Sequence, residues 1–474
     1  WIKDGEPEIR DAGRLWGLET ADTERAIREE LGDARIRTAV IGPAGEKRVR
    51  FACILNDVTH AAGRTGMGAV MGSKRLKAIA VRGGRLPEAA DPGKLRELNR
   101  WMMMNYKEKC RQWRYGTGSD MLGYEANGNL PIRNFQGGRF PGVEKITAQV
   151  LCEKYVMKMD HCYGCPVRCK RVVRLEGPSA ADPVYGGPEY ETLAALGSNC
   201  GIDDLESLIK AAEICNRHGI DTISAGVAIS FAMECFEKGI LRREDTDGLD
   251  LTFGNAEAMV RMVEQIALRR GFGDLLAEGT RRAAARIGKG SEMLAMQVKG
   301  QELPMHEPRR KPTMGLNYST NAAGADHNTT VHDTDDLDGA TGEKLYKTGY
   351  LPQLINTLGI CRFVSWSEEQ IREAVAAVTG RPPTDRELMQ VVERGLTLSR
   401  IFNIREGFSD QDDALPKRFA ETPSEGPLKG LDPQTFAEAR KGYYRLMGWD
   451  ESGVPTRARL AELGIDWASR YLGS

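Results

Sequence analysis

Ala62-Gly63-Arg64-Thr65-Gly66-Met67-Gly68-Ala69-Val70-Met71-Gly72-Ser73-Lys74-Arg75-Leu76-Lys77-Ala78-Ile79-Ala80-Val81-Arg82-Gly83 is a stretch whose two halves obey different rules. In the first half, closely spaced glycines let the backbone approach a ligand, and Arg64, Lys74 and Arg75 supply positive charge for an anion. The spacing is neither the Walker pattern, which needs a closing Gly-Lys-Ser/Thr, nor G-x-G-x-x-G, because Met71 occupies the last glycine position. A plain tight turn is the competing reading. In the second half, 77–82 reads as a short β-rich strand, and 36–42 (Ile-Arg-Thr-Ala-Val-Ile-Gly) reads as another.

Outward from this point the pattern changes to helices. Residues 92–107, 204–215, 224–238, 255–270, 383–400 and 434–446 carry apolar residues at helical spacing, and Asp204 stands where an N-cap is expected. A strand-bearing first part is followed by a mainly helical remainder, which predicts an α+β fold. Residues 300–335 break the pattern with Pro304, Pro308 and Pro312 and hold three of the six histidines, His306, His327 and His332. They read as a loop crossing a site.

Composition narrows the function. Lys+Arg 66 against Asp+Glu 67 leaves a formal charge of −1, which advertises neither a nucleic-acid nor a membrane surface. No apolar run reaches the length of about 18 residues that spans a bilayer, and a cytoplasmic location is expected. Ten cysteines are too dilute here for a disulfide framework. Three of them, Cys162, Cys165 and Cys169, follow C-x-x-C-x-x-x-C spacing, which lets thiolates converge on an iron–sulfur cluster or a zinc ion once one distant cysteine joins them. Two echoes, 216–221 (Asn-Arg-His-Gly-Ile-Asp) and 356–361 (Asn-Thr-Leu-Gly-Ile-Cys), share the form Asn-x-x-Gly-Ile, and the second delivers Cys361. They read either as two helix C-caps or as paired contacts to a pseudo-symmetric ligand.

Together these residues resemble the tungsten-containing aldehyde ferredoxin oxidoreductases. The resemblance rests on 62–83, the Cys162/Cys165/Cys169 motif, Gly-Pro-Glu-Tyr-Glu-Thr-Leu (187–193), both echoes, Asn-Ile-Arg-Glu-Gly-Phe (403–408), Leu-Pro-Lys-Arg (415–418), and Tyr-Tyr to Gly-Val-Pro (443–455). It implies a β-rich base domain ending near residue 84, a helical domain over 85–298 and another over 299–474. The chain opens at Trp1 without an initiator methionine, and the resemblance implies a further N-terminal portion of the base domain.

The resemblance also implies a tungsten atom, or molybdenum, held by two pterin dithiolenes, with a [4Fe–4S] cluster on Cys162, Cys165, Cys169 and Cys361. Asn216, Gly219, Asp221, Asn356 and Gly359 become pterin contacts, and the 63–74 loop, with Arg64, Gly66, Gly68 and Lys74, faces the pterin phosphates. The catalytic glutamate maps to Glu191, with Glu189 as its neighbouring alternative, and the catalytic histidine to His327. His306 stands where relatives often have tyrosine. The implied activity is oxidation of aldehydes to carboxylic acids, with ferredoxin or an iron–sulfur subunit as electron partner. A benzoyl-CoA-reductase-type subunit acting on an aromatic acyl-thioester is the alternative, and an iron–sulfur electron-transfer subunit without tungsten is the reading from another class. Some relatives bridge two subunits with a metal on Glu-x-x-His; the matching positions here are Lys210 and Glu213, so the expectation is no bridging metal, with a homodimer still open.

Overall fold

The computed structural model describes residues 1–177 and 179–472. Its first 84 residues build a six-stranded sheet: β1 (Ile2–Lys3), β2 (Glu6–Pro7), β3 (Arg37–Val40), β4 (Ile54–Asn56), β5 (His60–Ala62) and β6 (Ala78–Arg82), in the order β2-β1-β6-β3-β4-β5. β6 pairs antiparallel with β3, Ala39 opposite Ile79, and parallel with β1. Side chains alternate faces along a strand, so Ala80 joins Ile36, Val40 and Leu55 in a small core beneath the sheet, while Ile79 and Val81 point to solvent.

The glycine stretch between β5 and β6 becomes the helix Met67–Ser73 rather than a loop. Its glycines serve packing. A Cβ on Gly72 would sit 1.8 Å from the Gly45 carbonyl oxygen, and one on Gly68 would sit 2.3 Å from the Cys53 carbonyl oxygen. Two backbone segments therefore touch where any side chain would push them apart.

Everything after residue 91 is mainly helical, and the fold is α+β. The helix Leu205–His218 starts at the Asp204 cap, whose side chain accepts from Glu206 N at 3.3 Å, and ends at Gly219 with φ +75°. Thr222–Glu237 begins one residue after Asp221, whose carboxylate accepts from Ile223 N and Ser224 N at 3.0 and 3.2 Å. Such a cap contributes about 1 kcal/mol. This helix is apolar on all sides and forms the centre of the main core, with Val227, Phe231 and Met233 fully buried.

The expected loop over 300–335 needs correction. It contains the helix Pro312–Thr320, all nine residues of which are buried. Pro312 opens that helix, where the missing N–H costs nothing, so the proline that read as an interruption is a start signal. The helices Thr341–Thr348, Tyr350–Thr357 and Glu368–Thr379 also had no counterpart in the sequence reading.

Candidate active site

A cavity of about 450 Å³ lies where the base sheet meets the helical part. Gly63 and Arg64 reach it from the turn after β5, Asn216 and Asp221 from the end of one helix and the start of the next, and Glu189 and Glu191 from the start of the helix Tyr190–Leu196. His327 and Asn328 close it from the segment after the buried helix.

Glu191 is the pivot. Its Oε2 accepts from Met305 N at 2.8 Å, while Oε1 is buried with no hydrogen-bond partner among the described residues. That free oxygen is faced by His306 Nε2 at 3.5 Å and His327 Nε2 at 3.6 Å. The Asn129 amide nitrogen lies 3.1 Å from His306 Nδ1; as a donor it makes Nδ1 the acceptor and leaves the proton on Nε2, aimed at Glu191. Burial, then the charge of His332, drives His306 well below its ordinary value, so the ring is neutral. His327 Nδ1 is a second buried atom without a partner among the described residues.

Around these three lies a shell the sequence did not point to. Lys311 Nζ is 3.2 Å from His332 Nδ1, and His332 Nε2 is 3.2 Å from the His327 carbonyl oxygen. An ammonium donating to Nδ1 leaves the proton on Nε2, which then donates to that carbonyl and holds the His327 backbone. Burial, then the nearby Arg362, lowers Lys311 to about 8, and burial with Arg362 and Lys311 lowers His332 to about 2. Tyr190 packs its ring 5.3 Å from His306 and donates from its hydroxyl to the Met305 carbonyl at 2.6 Å. The three histidines within 27 residues were the only signal of this cluster; Lys311 had none.

The other expected residues divide. Glu189 lines the cavity as one half of an ion pair, 3.1 Å from Lys170. Burial raises its carboxyl, but Lys170 and Arg171 outweigh that and hold it below the usual range. It is therefore a fixed charge rather than a second proton carrier. Arg64 spans the seam: it bonds Asp221 Oδ2 at 3.3 Å, the Ala325 carbonyl at 2.7 Å, and the Glu302 carbonyl. Asn216 lines the cavity and donates to the Tyr185 carbonyl at 2.8 Å. Gly66, Gly68 and Lys74 are not on this cavity: the helix Met67–Ser73 carries them away from it, with Gly68 packed on Cys53 and Lys74 exposed. Both Asn-x-x-Gly-Ile echoes follow helices with a left-handed glycine, Gly219 and Gly359. Only the first reaches the cavity. Asn356 and Gly359 are exposed.

The cysteine hairpin lies on the strands Val156–Asp160 and Lys170–Val173, with Cys165 N bonded to the Cys162 carbonyl at 3.0 Å. Cys165 and Cys169 pack with Met102, Val167, Phe363 and Val364, which brings Cys361 to the same place. Burial raises the Cys162 and Cys361 thiols, and the charge of Cys165 raises both further. Among the described residues no three His, Cys, Asp or Glu side chains converge tightly enough to hold one ion. Lys210 and Glu213, at the positions of the bridging motif, pair with each other at 2.6 Å.

Two family profiles match the chain. The N-terminal domain of aldehyde ferredoxin oxidoreductase matches residues 1–83, and domains 2 and 3 match residues 95–465. The chain belongs to the aldehyde ferredoxin oxidoreductase family. The tungsten-containing aldehyde ferredoxin oxidoreductase of Pyrococcus furiosus is 38% identical over 493 residues, covering 98% of this chain and 79% of the relative. An aliphatic sulfonate oxidoreductase, WOR-like subunit, of the same organism is 32% identical, covering 98% of this chain and 77% of its own length. The solved active-site complex BamBC of benzoyl coenzyme A reductase, with 1,5-dienoyl-CoA, superposes with TM-score 0.81 at 24% identity. It covers 99% of this chain and 79% of that one, and at this identity it shows the shared fold. As a member of this family the chain is an oxidoreductase, and among its described residues no helix is long and apolar enough to cross a membrane.

Proposed function

We propose that this protein oxidises aldehydes to carboxylic acids and passes the electrons through a [4Fe–4S] cluster to ferredoxin or an iron–sulfur partner subunit. The observation that carries this reading is the meeting of Glu191 and His327 on the lining of a cavity that also holds Arg64, Asn216 and Asp221, with the buried His306 facing the same Glu191 oxygen. Two buried polar atoms there, Glu191 Oε1 and His327 Nδ1, lack partners among the described residues, and buried polar atoms left so are costly unless a ligand completes them. Arg64, Asn216, Gly219 and Asp221 would hold a pterin from this side; Asn356 and Gly359 would contact its counterpart from the open side. A tungsten or molybdenum bis-pterin held there would supply the two-electron redox chemistry, and a cluster on the cysteines would supply one-electron transfer.

The protein's own residues do the rest. Glu191 Oε1 takes a proton from the attacking water as general base. The neutral His306, oriented by Asn129, turns its Nε2 N–H toward the carboxylate at 3.5 Å and would steady it between proton transfers. His327, whose backbone His332 restrains, polarises the carbonyl oxygen of the substrate. The four cysteines would hold the cluster. The C-x-x-C-x-x-x-C spacing joined by the distant Cys361 supports a multi-iron core.

The test is metal analysis of anaerobically prepared protein together with aldehyde-dependent viologen reduction. About one tungsten or molybdenum and four irons per chain, with turnover, are expected; a metal content below about one-tenth per chain in active-site-intact protein overturns the reading. One observation favours a second reading, reduction of an aromatic acyl-thioester: His306 is a buried group 3.5 Å from Glu191, and ring reduction needs an extra proton donor. Turnover of benzoyl-CoA with no aldehyde activity would select it.

A further inference from the structure

We infer that Lys170 and Glu189 form a charge pair that sets how readily a cluster held by the four cysteines takes up an electron. The inference rests on the reading that Cys162, Cys165, Cys169 and Cys361 hold that cluster, and it adds the residues that tune it. Lys170 follows Cys169 directly and opens the strand Lys170–Val173. Its side chain and that of Glu189 both line the catalytic cavity, so the pair stands where the cysteine hairpin and the cavity meet.

The pair belongs to a fixed array. Lys170 Nζ lies 3.1 Å from Glu189 Oε1, and Arg171 lies 3.5 Å from Glu189 Oε2, which also accepts from the Thr117 hydroxyl. Arg171 is buried and donates further to the Pro188 carbonyl at 2.7 and 3.0 Å and to the Thr117 carbonyl at 2.8 Å. It therefore ties the strand to the segment before the helix Tyr190–Leu196 by itself. Lys170 has Glu189 as its one bonded partner among the described residues, and a single partly exposed ion pair contributes little to stability. Lys170 is mechanically spare, and its charge is what it adds.

That charge reaches the sulfurs. Burial, then the Glu189 carboxylate, raises the Cys169 thiol to about 12, and Lys170 opposes the shift. Asp160, the nearby carboxylate on the hairpin, is 4.0 Å from Lys158 and outside the array. Two cations against one carboxylate leave a net positive charge beside Cys169, and net charge around the sulfurs is one of the levers on a cluster's reduction potential. Reduction adds one electron, supplied by the aldehyde oxidation, and makes or breaks no bond. Lys170 thus favours the reduced state and Glu189 the oxidised one.

Reductive titration of the anaerobically prepared holoenzyme, followed by the low-temperature paramagnetic resonance of the reduced cluster, tests this in Lys170→Met, Lys170→Arg and Glu189→Gln. Lys170→Met should make the one-electron equilibrium at least ~10-fold less favourable to reduction, a midpoint lower by about 59 mV. Glu189→Gln should shift it by a similar factor in the opposite direction, and Lys170→Arg should stay within about threefold of the parent. A merely structural role would not displace the two neutralised variants to opposite sides. Midpoints within about threefold of the parent in both, or displaced to the same side, with iron content retained, would overturn the inference and leave the cluster reading standing. Glu189→Gln decides by its direction alone where Lys170→Met does not assemble its iron. Parent protein with iron below about one-tenth per chain overturns the cluster reading, and the inference with it. The readout is a potential and does not depend on turnover.

Discussion

Glu191→Gln isolates the charge of one oxygen while leaving the architecture around it in place. The glutamine carbonyl oxygen can still accept from Met305 N, the 2.8 Å bond that ties the helix Tyr190–Leu196 to the 303–306 segment. The amide nitrogen then replaces Oε1, which faces His306 Nε2 and His327 Nε2 at 3.5 and 3.6 Å. It removes the carboxylate oxygen that faces both histidines and sets a donor against the His306 N–H. A positioned acid–base group contributes about 10²–10⁴-fold, or roughly 2.7–5.4 kcal/mol of barrier at 1.36 kcal/mol per decade. The fold should lose less, under about 1 kcal/mol, because one hydrogen bond persists and Oε1 has no bonded partner to lose. Anaerobic viologen reduction with a saturating aldehyde should therefore show kcat lowered at least ~100-fold with an unchanged thermal melt and unchanged metal content. A kcat within about threefold of the parent would refute the assignment of Glu191 as the base, since no positioned proton acceptor contributes so little.

Other consequences concern charge and stability. Lys311 lies at about 8 because burial opposes its charge; below that pH it is charged in both folded and unfolded chains and the fold bears the full penalty, about 3 kcal/mol. Between pH 8 and a free lysine's 10.5 the folded state sheds this proton first, so the Lys311 contribution makes stability rise with pH. Denaturant melts of Lys311→Met should lack that rise and be more stable near pH 7; an identical pH dependence in both proteins would show that Lys311 is not depressed. Asp413 is fully buried between Arg400 at 2.8 Å and Lys299 at 2.6 Å. Asp413→Ala strands both cations and should cost about 3–5 kcal/mol, lowering Tm by about 4 °C for one cooperative unit; calorimetry showing no shift would count against the network. Cys361→Ser should abolish the visible absorbance and low-temperature paramagnetic signal of a reduced cluster while leaving the circular dichroism spectrum intact. An undiminished signal would remove Cys361 from the ligand set.

Helix periodicity, the Asp204 cap and the strand at 77–82 were legible in the linear sequence because each depends on hydrogen bonds and side-chain spacing within a few residues. The cysteine spacing was legible for the same reason: a short spacer dictates which thiols can meet. Two stretches read differently once distant contacts are known. The glycines of 63–74 read as a ligand loop, of which Gly63 and Arg64 line the cavity, while Gly72 lets the Gly45 carbonyl approach, a contact that spacing does not encode. The prolines of 300–335 looked like breaks, yet Pro312 opens a buried helix.

The amino-acid sequence by itself determined the α+β division, the family pattern, and the identities of Glu191, His306 and His327 as chemically suitable groups. Tertiary structure alone decided that they share one free carboxylate oxygen. Glu191 meets Met305 across 114 residues and His306 meets Asn129 across 177, and only the packing of separate helices on one core can set such distances. The same packing placed Lys311 and His332 behind the site, left the second Asn-x-x-Gly-Ile turn on the open side, and set Lys170 and Arg171 against Glu189. Local rules specify which side chains are available; the burial of apolar helix faces against each other specifies which of them meet, and with what charge.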